Sequence, residues 1–229
     1  MKTIGIIGGM APESTILYYK YITEESRRRL GDHVYPRIII YSVDFSKFIE
    51  WMNSNNWDSI ANELINITFR LRNAGADFAI IATNTMHIVF DRVLRSSPIP
   101  LISIIDAVAE EINRYNISKV GLLGTKLTME SGIYADGLAK YRVEVLIPGK
   151  EDREYIDNII FNELTKGIIS FKSKAKFIDI VNKMIKEGIE GLILGCTEIP
   201  LLINQGDVSI KIFDSTRIHA LKALEYALK

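Results

Sequence analysis

The chemistry this chain can offer gathers at Gly191-Leu192-Ile193-Leu194-Gly195-Cys196-Thr197-Glu198-Ile199-Pro200, which holds the single cysteine among 229 residues. Apolar Leu192 to Leu194 read as a buried strand, so Cys196 and Thr197 fall at its carboxyl end. That edge is where open α/β sheets bind ligands. A thiol there can exchange a proton with a substrate or attack it. A lone cysteine is, equally, a small buried hydrophobe. A second stretch bears on the choice. Ala76 to His87 has the same shape, an apolar strand, a small residue and then Thr83-Asn84-Thr85. Thr83 stands where Cys196 stands, 113 positions earlier.

A second pair of segments repeats at nearly the same separation. Ile4-Gly5-Ile6-Ile7-Gly8 corresponds to Val120-Gly121-Leu122-Leu123-Gly124. Two matched pairs in the same order predict two similar lobes. The expected fold is α/β, with two similar lobes, each a parallel sheet flanked by helices. Residues 1–97 with 209–229 form the first lobe and 98–208 the second. If the lobes face each other, Thr83 and Cys196 meet across the cleft between them.

The elements that must carry these residues can be read along the chain. Strands are predicted at Thr3–Ile7, Arg37–Ser42, Phe78–Ala82, Lys119–Leu123, Val143–Ile147 and Ile210–Phe213. Helices are predicted after Pro12, over Trp57–Asn73 with Ile60, Leu64, Ile67 and Leu71 on one face, and over Val89–Arg95 and Ile105–Tyr115. Further helices run from the Gly124–Met129 turn to about Lys140, over Glu151–Lys166 and Ala175–Glu187, and to the C-terminus. Alternating strands and helices imply parallel βα units. The crossings between lobes are expected at Ser97-Pro98-Ile99-Pro100 and Asn204-Gln205-Gly206-Asp207, with the last strand and helix returning to the first lobe.

Composition limits the classes of function. Apolar residues make up 48% and charged residues 24%, as in an ordinary globular protein. Lys+Arg and Asp+Glu balance at 28 each, so nothing steers the surface toward nucleic acid or an anionic membrane. No run reaches transmembrane length, and the glycine-cut N-terminal strand is too short for a signal peptide. One cysteine makes no internal disulfide, and His33, His87 and His219 have no metal-ligand spacing. A cytoplasmic, metal-free protein is expected. Gly8-Gly9-Met10 departs from the dinucleotide fingerprint, whose third glycine would fall on Glu13. It is a tight turn or, alternatively, a place where backbone N–H groups hold a small anion.

Ile4 to Thr15, Thr83-Asn84-Thr85-Met86-His87, the Gly124-Thr125…Thr128-Met129 turn and Gly195-Cys196-Thr197-Glu198 together resemble the aspartate/glutamate racemases that work without pyridoxal phosphate. The resemblance spans essentially the whole chain. It implies two pseudo-symmetric lobes with the active site in the cleft between them, two cysteines on opposite faces of the substrate Cα, no cofactor, and a homodimer. It also implies that Asn84, Thr85 and Thr197 bind the substrate carboxylates, with Thr125 and the turn at Met10 beside them. Lys166 matches a lysine used for the distal carboxylate, although a basic residue near a helix C-terminus is favourable in any case. Two departures stand out. Thr83 takes the place of the first cysteine, and the family's distal arginine, expected near Lys47 to Ile49, is missing.

A free thiol titrates near about 8.5 and a helix N-terminus can lower that, whereas an inward Glu198 would oppose the shift. A threonine hydroxyl is too weak an acid to rest as a base. It can protonate a developing carbanion. Three functions follow. The first is a racemase of an acidic amino acid, aspartate or glutamate, with Cys196 as base and Thr83 on the opposite face. The second is a single-proton reaction such as decarboxylation of a malonate. The third is a non-catalytic binder of acidic amino acids. Enantiomers have equal free energy in water, so any racemase here must have equal kcat/KM in both directions. A Cys196–His87–aspartate triad is disfavoured, because His87 falls where it would cap or pack the following helix.

Overall fold

The computed structural model describes residues 1–229. The first sheet and its helices run β1 (Ile4–Gly8), α1 (Pro12–Leu30), β2 (Ile38–Ser42), α2 (Phe45–Asn53), α3 (Trp57–Asn73), β3 (Phe78–Ile81), a 3₁₀ turn over Thr85–Val89, α4 (Phe90–Ser96) and β4 (Leu101–Ile102). All pairs are parallel, in the order β2-β1-β3-β4. The strand period of two sends the side chains of β1 to opposite faces. Ile4 and Ile6 join Tyr18, Ile22, Ala220 and Leu224 on one face, and Ile7 joins Ile60, Leu64, Ile67 and Leu71 on the other. A parallel sheet covered on both faces is the outcome that βαβ connections impose. Each large aliphatic side chain so buried is worth about 1.5–3 kcal/mol.

After α5 (Ile104–Asn113) the plan repeats. The elements are β5 (Lys119–Leu123), α6 (Lys126–Glu130), α7 (Ile133–Ala139), β6 (Glu144–Leu146), α8 (Lys150–Asn162) and a 3₁₀ turn over Leu164–Lys166. Then come α9 (Phe171–Lys186), β7 (Gly191–Leu194), α10 (Ile199–Leu202), β8 (Lys211–Asp214) and α11 (Ser215–Leu228). The second sheet has the order β6-β5-β7-β8, again parallel throughout. The two-sheet α/β fold expected from the internal repeat is present.

The boundaries differ from the sequence expectation. The first unit is Met1–Ile104 with Thr216–Lys229, and the second is Ile105–Ser215. Pro98 and Pro100 do extend the chain, but they lead into β4, which pairs with β3 and completes the first sheet. Likewise β8 pairs with β7, so the last strand stays in the second unit and only the last helix returns to the first. Edge pairing, which the local sequence does not specify, moves both crossings.

Three helix expectations also change. The helix foreseen from Gly124 to Lys140 is broken at Gly132, whose φ of 79° is left-handed. The one foreseen to Lys166 stops at Asn162, because the Glu163 carbonyl turns to accept Lys166 N–H and Ile168 N–H. Helix α2 was not foreseen. Its signal was legible, with Asp44 accepting Ser46 N–H as a cap before Phe45, Phe48, Ile49 and Met52.

Candidate active site

In the first unit, the chain leaves β3 at Ile81 and turns through Ala82 to Thr83. Ala82 N–H donates to Ile7 O at 2.8 Å and Thr83 N–H to Ile81 O at 2.9 Å. These bonds bring Thr83 to the carboxyl edge of the sheet, half-buried, with Asn84 buried and Thr85 half-buried. His87 fastens the turn from below. Its Nε2 accepts Ile104 N–H at 3.0 Å, which leaves Nδ1–H to donate to Thr83 O at 2.9 Å. Its ring stacks on Phe90. Burial holds the imidazole pKa down to about 4, so it is neutral at physiological pH. With both nitrogens engaged inside the first unit, His87 is no triad member; it is the packed residue the sequence suggested.

A second imidazole extends this network. His219 Nδ1 accepts the Tyr18 hydroxyl at 2.8 Å, and His219 Nε2–H donates to Ile102 O at 2.9 Å. Burial lowers its pKa to about 3, with the neighbouring His87 adding to the effect. Nothing in the sequence pairs residues 18, 87, 102 and 219.

The turn at the end of β1 is tight. Gly9 has a φ of +88°, and a Cβ there would lie 2.6 Å from Ser42 Oγ and 2.7 Å from Val43 N. Its N–H donates to Thr15 Oγ1 at 2.8 Å and is spent inside the turn. The Met10 side chain is buried in the apolar cluster with Ile7 and Phe48. The tight-turn reading of Gly8-Gly9-Met10 therefore accounts for both residues. Next to this turn, a cavity of about 320 Å³ at the end of β2 is lined by Tyr41, Ser42, Lys47, Trp51 and Arg70, among others. Arg70 bonds the Tyr41 hydroxyl and lies 3.8 Å from a Glu63 carboxylate oxygen.

In the second unit, Gly195 N–H donates to Leu123 O at 2.7 Å, the counterpart of the Ala82–Ile7 bond. Cys196 follows, half-buried, with buried Thr197 and half-buried Glu198. The Cys196 thiol donates to Glu198 Oε2 at 2.9 Å, and Thr197 Oγ1–H donates to the same oxygen at 2.7 Å. Desolvation of the sulfur, the Glu198 carboxylate and, more weakly, Asp157 push the thiol pKa well above its usual value. Cys196 rests as a thiol. The helix-terminus lowering that the sequence allowed is outweighed.

The remaining sequence candidates of this unit are placed as follows. Thr125 caps α6, its Oγ1 accepting Thr128 N–H at 3.3 Å. Lys166 closes a 3₁₀ turn ahead of left-handed Gly167, and it is exposed. Asp157 escaped sequence reasoning altogether. It lies on α8, accepts Lys126 N–H at 2.6 Å, and reaches the Cys196 environment only through folding.

Residues 7–223 match the family model described as Asp/Glu/Hydantoin racemase. The chain is 23% identical over 216 residues to the broad specificity amino-acid racemase RacX of Bacillus subtilis, covering 93% of this chain and 92% of that one. A solved structure of an aspartate racemase homologue from Pyrococcus horikoshii superposes with a TM-score of 0.91 at 46% identity, over 100% of both chains. The Picrophilus torridus aspartate racemase gives 0.79 at 26% identity, over 100% of this chain and 95% of that one. With two such sheets, a strand-end thiol and a matching strand-end hydroxyl, the chain belongs to the Asp/Glu/hydantoin racemase family.

Proposed function

We propose that this protein racemises an acidic amino acid, aspartate or glutamate, by moving the Cα proton between Cys196 on one face and Thr83 on the other. The observation that carries the reading is the equivalence of the two residues. Each follows the third strand of an identically ordered sheet by two positions. Such a pair supplies one proton-transfer group from each half of a duplicated chain.

In the reaction so read, Cys196 removes or returns the proton on its face, and the Thr83 hydroxyl serves the opposite face. The carbanion is conjugated with the substrate α-carboxylate. Asn84, Thr85 and Thr197 bind the substrate carboxylates through hydroxyl, amide and main-chain groups, with Thr125 and the main chain at Met10 alongside. Lys166 takes the distal carboxylate. The reading carries with it a homodimer that uses no pyridoxal phosphate, as the family resemblance implies, working in the cytoplasm. No helix of the chain is long and apolar enough to cross a membrane.

Proton NMR of L- and D-aspartate and of L- and D-glutamate in deuterated buffer tests the proposal. Wild type is expected to wash the Cα proton out of at least one pair of enantiomers, and Cys196→Ser to lose that exchange by about 10²–10⁴-fold. Retention of the Cα proton in all four amino acids would remove the proposal.

One observation favours a second reading. A cysteine held as a thiol is poised to give a proton to an enediolate, which decarboxylation of a substituted malonate requires. Carbon dioxide release from such a malonate, without Cα exchange in the amino acids, would select it.

A further inference from the structure

Threonine is branched at Cβ, so few χ1 rotamers are open to it and the aim of its hydroxyl follows the set of its own backbone. At Thr83 that backbone is held by a side chain. In an α-helix the carbonyl of residue 83 would accept the amide of residue 87. The turn here is 3₁₀ instead, and His87 N–H donates to Asn84 O at 3.0 Å. The Thr83 carbonyl goes to the imidazole of the same residue, whose Nδ1–H donates to it at 2.9 Å. Nε2 accepts Ile104 N–H at 3.0 Å, which keeps the proton on Nδ1 and ties the ring to the last residue of the first unit before the crossing. Phe90 lies nearly parallel to the ring, with centroids 4.9 Å apart. Buried and held on three sides, the imidazole is fixed in this orientation. Four residues past Cys196, where a counterpart of His87 would stand, the second unit has Pro200, with neither an imidazole nor a main-chain N–H. The anchor belongs to the hydroxyl's half alone.

We infer that His87 is a positioning residue for proton transfer at Thr83: its bond to the Thr83 carbonyl fixes the line along which the hydroxyl meets the substrate. The inference rests on the racemase reading. No bond of the reaction is made or broken at His87, and the imidazole, kept neutral by burial, moves no proton. A threonine hydroxyl is a weak acid, so it serves the carbanion only from within hydrogen-bond reach and in line, and a displacement of about 1 Å costs about 10²-fold. The Cys196 face does not run through this anchor, since the thiol is held by Glu198. His219 supplies the contrast. Its ring is buried too, with its centroid 5.9 Å from that of His87, but its nitrogens engage the Tyr18 hydroxyl and Ile102 O rather than Thr83.

The test compares His87→Gln, His87→Asn and His219→Gln on two readouts of one sample, inversion by chiral chromatography and Cα exchange in deuterated buffer. Glutamine reaches the place of Nε2 and can accept Ile104 N–H, but it leaves Thr83 O without its donor. Asparagine keeps an N–H at the place of Nδ1. In His87→Gln, kcat for inversion is expected to fall by about 10²-fold with KM changed by less than about three-fold, while exchange on the Cys196 face is much less affected. His87→Asn should recover inversion to within about ten-fold of wild type. His219→Gln should lower the urea midpoint and leave the ratio of inversion to exchange at its wild-type value. Added to Thr83→Ala, His87→Gln should cost no further inversion, because its effect passes through the hydroxyl. Wild-type inversion in His87→Gln, parallel loss of inversion and exchange, or a loss that adds to that of Thr83→Ala would make the imidazole a packing residue and overturn the inference. If His87→Gln does not fold, nitrogen-15 NMR of the wild-type imidazoles decides. Saturating substrate is expected to shift the His87 Nδ1–H resonance and not that of His219 Nε2–H, and an unmoved His87 signal overturns the inference. The racemase reading fails separately. Wild type would then exchange none of the four amino acids, and the inference falls with it. Loss of the His87 role alone leaves wild-type exchange and inversion in place, with their ratio insensitive to residue 87.

Discussion

Thr83 and Cys196 occupy one and the same position in two copies of one sheet. The residue before each, Ala82 or Gly195, donates its amide to the neighbouring strand, at Ile7 or Leu123. Each then emerges two residues past its strand, at the carboxyl edge. The two positions share a backbone frame and differ in what surrounds the side chain. Cys196 has a carboxylate on its sulfur. Thr83 has its own carbonyl anchored by a neutral imidazole.

This asymmetry makes the two faces separable. In Thr83→Ala, inversion of the substrate should fall by about 10²-fold or more, whereas exchange of the enantiomer whose Cα proton meets Cys196 should be less affected. Chiral chromatography of the product and NMR of the recovered substrate measure the two quantities on one sample. Parallel loss of both would mean that Thr83 is only a scaffold.

Lys166 is exposed and ends a short turn, so its removal should leave the fold intact. Lys166→Met is expected to raise KM for a dicarboxylic substrate about ten-fold or more, equivalent to losing roughly 1.5–3 kcal/mol of charge-assisted hydrogen bonding. An unchanged KM would assign the lysine to the turn alone.

Gly9→Ala tests the turn after β1. The new Cβ would meet Ser42 Oγ and Val43 N at under 3 Å, at a φ of +88°. We expect a loss of at least about 1 kcal/mol in urea unfolding, with a drop in turnover as the turn shifts. Wild-type stability would show that the turn relaxes freely.

The two buried imidazoles set a pH dependence. His87 and His219 titrate at about 4 and about 3 in the folded chain, against about 6.5 when unfolded. Between about pH 6.5 and 4 the unfolded state therefore binds protons that the native state refuses, and stability falls on acidification. It is fully present above that window. Urea midpoints should drop from pH 7 to pH 5, and His87→Asn, which keeps an N–H for Thr83 O, should flatten part of the slope. A midpoint independent of pH would contradict the neutral pair.

The sequence was most informative where a periodic signal was long or repeated. The strand at Thr3 to Ile7 and the helical stripe of Ile60, Leu64, Ile67 and Leu71 reached the structure. The matching of Thr83 with Cys196 survived because strand, small residue and turn are local features. Shorter elements escaped. Leu101–Ile102 is a strand only because Ala79 and Ile80 lie beside it, and that pairing moved the first unit boundary, as the β7–β8 pairing moved the second.

By itself, the sequence determined that this chain is built twice from parallel βα units, and that one thiol and one hydroxyl end matching strands. Periodicity and local turn chemistry carry that much, since they depend on neighbours in the chain. Only the tertiary structure decided the state of those groups. Desolvation and charges brought from afar, Asp157 beside Cys196 and His219 and Ile104 around His87, fix which protons stay on. Such effects depend on distances between residues far apart along the chain, and no spacing within a segment encodes them.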